Sequence, residues 1–425
     1  MLLVLRNSWP LFLGVMLLML GNGLQGTLLG IRGSIEGFSP NTMAWVMSGY
    51  FVGFLGGSRM APEMIRRVGH VRVFAALASF VSACLLLYAA IPNVVAWFLL
   101  RVMIGFCFSG VYVVAESWLN DSATNETRGQ TLSLYLIVQM IGIVTAQGVL
   151  NFADPSGYTL FIISSVLVSI SFAPILLSIS PAPMFQATKP MSFKKLYTSS
   201  PTAVVGTFFL GAIFAALFGM ASVFGTEKGL DVKTITIFVA SIYIGGMLLQ
   251  YPIGWISDHM DRRKLIIMLT IFATVSMFGG KLFTDNIYAL LILGFIIGGV
   301  ANPLYSLYIA YMNDYLDHDD MAAASGGLIF INGLGAVGGP FLVGWMMTEF
   351  GADSFFVYLG ALFGVSALWA LVRSTRREAP NVEDTASYAP ITMSATAVAM
   401  ELATEVAIDM AEDAETEAES DNSKA

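Results

Sequence analysis

Arg101 is the residue of this chain with the clearest chemical task, because it lies about eight residues into an otherwise apolar run, Val94 to Leu119. A cation at that depth in a helix costs on the order of 2.5–3.5 kcal/mol on membrane-insertion scales, so it must face water or an acceptor. At about 100° per residue, Gly105, Phe108, Tyr112 and Leu119 share its face. Glu116 lies roughly 22 Å further along a straight helix, too far to be its partner. Asn22 and Gln25, three apart in a Gly-rich stretch, and Gln139, Gln147, Gln250, Asn302 and Asn332 are amides in apolar surroundings. An unpaired amide in hydrocarbon is expensive, so each is expected to face the protein interior. Such a set suits recognition of a solute or a coupling proton. No nucleophile and base stand at a catalytic spacing, no glycine loop cradles phosphate, and Cys84 and Cys107 read as buried thiols. His70, His259 and His318 fall in loops between apolar runs, which excludes a histidine relay within the membrane. No enzyme activity, metal, cofactor or nucleic-acid partner is expected.

The elements that position these residues follow from composition. The 425 residues are 56% hydrophobic and 12% charged, which excludes an ordinary soluble domain and requires a polytopic membrane protein in a lipid bilayer. A span needs about 20 apolar residues. Twelve runs qualify, near 9–30, 41–64, 71–90, 94–119, 130–150, 158–178, 202–225, 234–256, 265–283, 287–312, 322–347 and 355–372. The first is read as a retained helix rather than a signal peptide. The Pro- and Lys-bearing linker 180–201 divides a six-helix half, 1–179, from a second, 202–377. The net charge of −8 misleads, since residues 378–425 hold 12 of the 29 acids. That tail reads as a solvated, disordered cytoplasmic segment, dispensable for function, with Val398, Leu402, Val406 and Met410 allowing a short amphipathic helix as the lesser reading. With the N-terminus inside, 15 loop Lys and Arg fall on the cytoplasmic side and four opposite. This bias places both termini in the cytoplasm and requires an even number of spans.

Shifting the chain by 193 residues lays Gly105, Tyr112, Asn120, Asp121 and Gly142 on Gly298, Tyr305, Asn313, Asp314 and Gly335, and Gln139 on Asn332. A shift of 192 lays Arg66 to Gly69 on Asp258 to Asp261. The halves are therefore a parallel repeat.

Between the eighth and ninth runs stands Gly254-Trp255-Ile256-Ser257-Asp258-His259-Met260-Asp261-Arg262-Arg263-Lys264, a carboxylate at a helix end followed by a cationic triplet in water. Its spacing resembles the Gly-x-x-x-Asp-Arg-x-Gly-Arg-Arg loop of the major facilitator superfamily. Gly254, Asp258, Arg262 and Arg263 are kept; His259 and Asp261 depart from it. The first-half copy has Arg66 where the acid belongs. Arg101 and Gly105 are similar to the family's fourth-helix Arg-x-x-x-Gly element. With Gly21 to Gly26, Arg67 to His70, Ala115 to Asn120 and Arg128-Gly129, the chain resembles the YcaD-like bacterial branch. On the eleventh run, Gly335, Gly339, Pro340 and Gly344 resemble the antiporter-type Gly-Pro element but belong to a different helix, so they read as packing and hinge.

The resemblance implies a twelve-helix inner-membrane permease of all-α fold. It moves a small solute by alternating access, with proton-coupled efflux as the form weighed. Asn22, Gln25, Arg101, Tyr112, Gln139, Gln147, Asn302 and Asn332 are candidates for the substrate path. Asp258, Arg262, Arg263, Arg128 and Glu116 are candidates for gating, Asp258 by meeting the start of the fifth helix near Arg128. A monomer is expected. The alternative is a non-transporting sensor or scaffold that signals through its tail.

Overall fold

The computed structural model describes residues 2–124, 127–176, 191–375, 388–392 and 394–407. Twelve long helices form the body: α1 Leu2–Ile35, α2 Pro40–Val68, α3 His70–Ala90, α4 Val94–Ser122, α5 Arg128–Val149, α6 Thr159–Ser171, α7 Pro201–Glu227, α8 Val232–His259, α9 Arg262–Gly280, α10 Ile287–Asn313, α11 His318–Phe350 and α12 Ser354–Ser374. Ten of the described helices are long and apolar enough to cross a membrane. The other two of the twelve are α2, which carries Glu63, Arg66 and Arg67 at its end, and α6, which has 13 residues; both are packed into the bundle. Apolar side chains such as Val95, Leu99, Val275 and Leu368 stand more than half exposed on the outer surface, where lipid replaces water as the solvent. This is a multi-pass membrane protein.

The helices begin where short polar side chains satisfy the orphan N–H groups of a first turn. Ser39 accepts from Thr42 N before α2, and Asp231 accepts from Thr234 N before α8. Asn93 caps Val95 and Ala96, and Asn286 caps Tyr288 and Ala289. These caps are repeat partners, at shifts of 192 and 193. So are Gly37 (φ 77°) and Gly229 (φ 75°), which turn the chain ahead of α2 and α8 in a region where only glycine is unstrained.

Packing repeats as well. In the first half α2 lies on α4, α1 on α5 and α6, and α3 on α6; in the second, α8 lies on α10, α7 on α11 and α12, and α9 on α12. A Cβ added to Gly105 would overlap the carbonyl oxygen of Tyr50, and one added to Gly298 would overlap that of Ile242, the residue 192 further on. Gly142 on Met16 and Gly335 on Phe208 form a second such pair. The repeat read in the sequence is thus a repeat of helix crossings that tolerate no side chain.

Gly105→Ala should therefore force α2 and α4 apart at a cost of about 1–3 kcal/mol, the range for overpacked sites. Thermal unfolding in detergent checks this. Gly148→Ala, where nothing lies within 4 Å, is the control and should not lower the midpoint. Equal midpoints for the two variants would remove the packing argument.

The halves meet along α2 and α11, α5 and α8, and α1 and α7. At the end away from the Arg66 and Lys264 loops they touch directly. Asn41 N donates to Thr348 Oγ1 at 3.2 Å, Asn151 Nδ2 donates to Thr236 Oγ1 at 3.1 Å, and Trp45 meets Phe341 edge-on at 4.6 Å. At the basic-loop end a groove separates α4 and α5 from α8 and α10, and residues 388–392 and 394–407 lie in it. The tail expectation fails for these residues. Tyr388, Ile391, Thr392, Ala395, Thr396, Val398 and Ala399 are buried, and 397–407 form a helix in which Met400, Leu402 and Ala403 are at most 1% exposed. Val398, Leu402 and Val406 do share that helix, whereas Met410 lies outside the described residues.

Candidate functional site

A cavity of about 120 Å³ lies between the halves at mid-height. Arg101, 4% exposed, is the single charged side chain in its lining among the described residues. Its Nη1 donates to Gln25 Oε1 at 2.9 Å, Gln25 Nε2 to Asn22 Oδ1 at 3.0 Å, and Asn22 Nδ2 to Tyr112 OH at 3.2 Å. Nη2 points to Met47 Sδ at 3.1 Å, and the guanidinium carbon stands 5.1 Å from the centre of the Tyr50 ring, a cation–π distance. The donors run in one direction, from the cation through two amides to a phenol. The buried Arg101 Nε and Gln139 Nε2 have no hydrogen-bond partner among the described residues. These are two donors at the cavity wall left for a ligand, since buried polar groups are otherwise paired.

The structure brings seven candidates for the substrate path onto this cavity: Asn22, Gln25, Arg101, Tyr112, Gln139, Asn302 and Asn332. Asn302 also donates to Gly298 O one turn back, and Asn332 to Thr207 O, so each amide is partly used in holding helices. Gln147 is elsewhere. Its Nε2 donates to Gly23 O and Ile143 O and ties α5 to α1. Gln250 donates to Ser306 Oγ at the groove. Missed by the polar survey are the aromatic walls Tyr50, Phe51, Phe54, Phe218 and Tyr243. Phe218 reaches the wall on the π-helical turn Ala216–Met220 of α7, a local break often found at functional sites. The Phe-Gly-Met sequence there gave no warning of it.

The gate candidates depart furthest from expectation. Arg262 and Arg263 are not in water; they are 3% and 8% exposed. Arg262 bonds Asp314, Asp258 and Ser257 Oγ, while Arg263 Nη1 donates to Ser374 O at 3.2 Å. The helices run so close to the turn that only Met260 and Asp261 lie between them, which leaves the two guanidinium groups packed against α10 and α12. His70, read as a loop residue, begins α3 and is buried; it is the repeat partner of Arg262. Asp258 does not meet the start of α5. Its Oδ1 accepts from Tyr388 N at 2.8 Å and from Arg262, and Arg128 pairs instead with Glu405 at 3.2 Å. Glu116, 1% exposed, accepts from Tyr135 OH, from the N–H groups of Thr396 and Ala399, and from the Thr396 hydroxyl. Burial lifts the Tyr388 phenol above its usual range.

The sequence profile described as Major Facilitator Superfamily matches residues 11–279 and again 203–405. The chain belongs to the major facilitator superfamily. The YcaD-like resemblance is met by relatives. The MFS-type transporter YfkF of Bacillus subtilis is 25% identical over 85% of this chain and 94% of its own length. YcaD of Escherichia coli is 25% identical over 86% and 95%. Among solved structures, the nucleoside transporter NupG superposes with a TM-score of 0.70 at 14% identity, covering 86% of this chain and 98% of NupG. A bacterial homologue of the lysosomal transporter Spinster, in an inward-facing and occupied conformation, superposes at 0.71 and 13% identity, covering 89% and 98%. These likenesses establish the fold. This major facilitator protein is a membrane transporter, not an enzyme, and its cavity lies between the two halves of the superfamily architecture.

Proposed function

We propose that the protein is a secondary active transporter that carries a small organic anion with an apolar or aromatic body by alternating access. The observation that carries this reading is Arg101: one buried cation, with an unused Nε, in a cavity otherwise walled by amides and aromatic rings. A bidentate guanidinium suits a carboxylate or phosphate group, and the rings suit an apolar body. A nucleoside, the solute named for NupG, lacks the charge that Arg101 calls for. The Lys and Arg bias supports a reading with the basic-loop face and both termini on the cytoplasmic side of a bacterial inner membrane. Protons are the coupling ion favoured here, acting through Glu116 on the groove wall, and export is the direction tested first. The protein is read as a monomer.

The test uses membrane vesicles of defined sidedness, with and without the protein, under imposed proton or sodium gradients. A panel of aromatic carboxylates, organic cations and nucleosides is offered. Carboxylate flux should rise at least about tenfold under a proton gradient, and Lys195 should be labelled only from the cytoplasmic side. Transport confined to cations or nucleosides discards the anion reading; sodium dependence discards the proton.

A further inference from the structure

We propose that residues 388–392 and 394–407 form an intramolecular plug, a peptide ligand for which the groove between the halves is the binding site. The sequence of this segment differs from the acidic chain around it: Thr385 to Met400 carries no charge. Within the groove it is held by both halves. Tyr388 N donates to Asp258 of α8, and the Tyr388 ring lies against the bare backbone at Gly254. Ile391 N donates to Ser306 Oγ of α10 at 2.9 Å, and Ser394 Oγ donates to Gln139 Oε1 of α5 at 3.2 Å. Helix 397–407 then starts against Glu116 of α4. The N–H groups of Thr396 and Ala399 are the two donors of a capping box, in which the N-cap hydroxyl satisfies one and a glutamate carboxylate the other. Here α4 supplies that carboxylate, placed where the positive end of the helix dipole favours it. At the far end Glu405 pairs with Arg128, and Val406 packs on Gly129. The ligand class is thus an uncharged extended peptide of small and hydroxyl residues leading into a helix N-terminus.

Seating this peptide has two consequences. Thr392 and Ser394 form part of the wall of the cavity, so the segment closes the way in from the basic-loop face. The opposite end is already shut by the Asn41–Thr348, Asn151–Thr236 and Trp45–Phe341 contacts. The segment also occupies Asp258 and Arg128, so the halves cannot close on each other at that face until it leaves. While seated, the plug holds the protein in one state, so flux through the native chain is carried by molecules that it has left. Releasing it exposes Met400, Leu402 and Ala403 to solvent and strips Glu116 of three of its four hydrogen bonds. The inference concerns the groove and does not depend on which solute is carried.

The test uses the full chain with Cys84 and Cys107 replaced by alanine and Ser306→Cys as reporter, labelled by a membrane-impermeant maleimide from the basic-loop face. Labelling should be slow with the native tail. It should speed up at least tenfold with Ala399→Glu, which sets a second carboxylate beside Glu116, and separately with Leu402→Arg. Lys264→Cys, exposed in the native chain, should label equally fast throughout. Because Ser306 itself touches the tail, spin labels at Lys264 and Glu401 supply an independent readout. One narrow distance distribution is expected with the native tail and a broad one in either variant. Fast Ser306→Cys labelling in all three chains, or one unchanged distance distribution across them, overturns the plug.

Discussion

Arg101→Gln should weaken binding of an anionic solute by roughly 30-fold to several thousand-fold while leaving the protein folded. That span corresponds to about 2–5 kcal/mol, the cost of removing one partner of a buried, hydrogen-bonded charge pair. The fold should survive because Arg101 is held by groups that do not depend on its charge. Gln25 keeps its bond to Asn22, and Tyr50 keeps its packing on Phe54 and Phe108. Arg101→Lys keeps the charge but loses the planar fork and the Nε donor, so it should recover only part of the affinity. The measurement is ligand-induced thermal stabilisation across the solute panel, repeated with Ala399→Glu so that a seated tail does not mask the cavity. An Arg101→Gln protein that binds the same anion within threefold of wild type would remove Arg101 from the site.

The second large effect concerns stability. Arg262 and Asp314 face each other with side chains only 2% exposed, and breaking such a pair from one side leaves a buried charge without compensation. Asp314→Ala should cost about 3–5 kcal/mol, toward the lower end because Asp258 and Ser257 still accept from Arg262. Replacing both members with apolar residues of similar size, Arg262→Met with Asp314→Leu, should recover most of the loss, since neither charge then has to be desolvated. Melting midpoints of the three proteins in one detergent decide it. If the double variant melts as low as Asp314→Ala, the penalty is one of packing and not of charge. Because Asp258 touches both Arg262 and Tyr388, the single variant should also loosen the tail, visible in the spin-label pair.

Much of the architecture was legible because it depends on quantities that sum along the chain. Twelve apolar runs, a basic bias on alternate loops and a glycine pattern at a shift of 193 all survive without knowledge of any contact. The glycines were legible for a further reason: a helix crossing with carbonyl oxygen against Cα leaves room for no other residue, as at Gly105 and Gly298. The same register held information left unread. Asn93 with Asn286, Ser39 with Asp231 and Gly37 with Gly229 mark equivalent helix starts.

The polar lining was legible in part. An amide or a guanidinium cannot face lipid cheaply, so seven of the eight named residues point to the cavity, but Gln147 satisfies the same requirement by bonding the backbone of α1. Inwardness follows from solvation; which inward surface is reached does not. The aromatic walls could not be told from core by composition, since a phenylalanine is equally at home in either.

What the sequence by itself determined is the number of spans, the repeat of the halves, the sidedness bias and the inward placement of the polar set, each a consequence of solvation and of steric room along one helix. What only the tertiary structure decided is which groups meet across 52 or more residues of chain. Asp258 bonds Tyr388, Arg128 bonds Glu405, Arg262 is buried against Asp314, and Glu116 caps a helix supplied by the tail. An average over the acidic tail hid the uncharged stretch from Thr385 to Met400, and nothing local to it says what will bury Tyr388, Ile391, Thr396 or Met400. The groove does so because it offers a carboxylate, an amide and a hydroxyl at the spacing of the tail's own donors, and that spacing exists only once α4, α5, α8 and α10 are packed together.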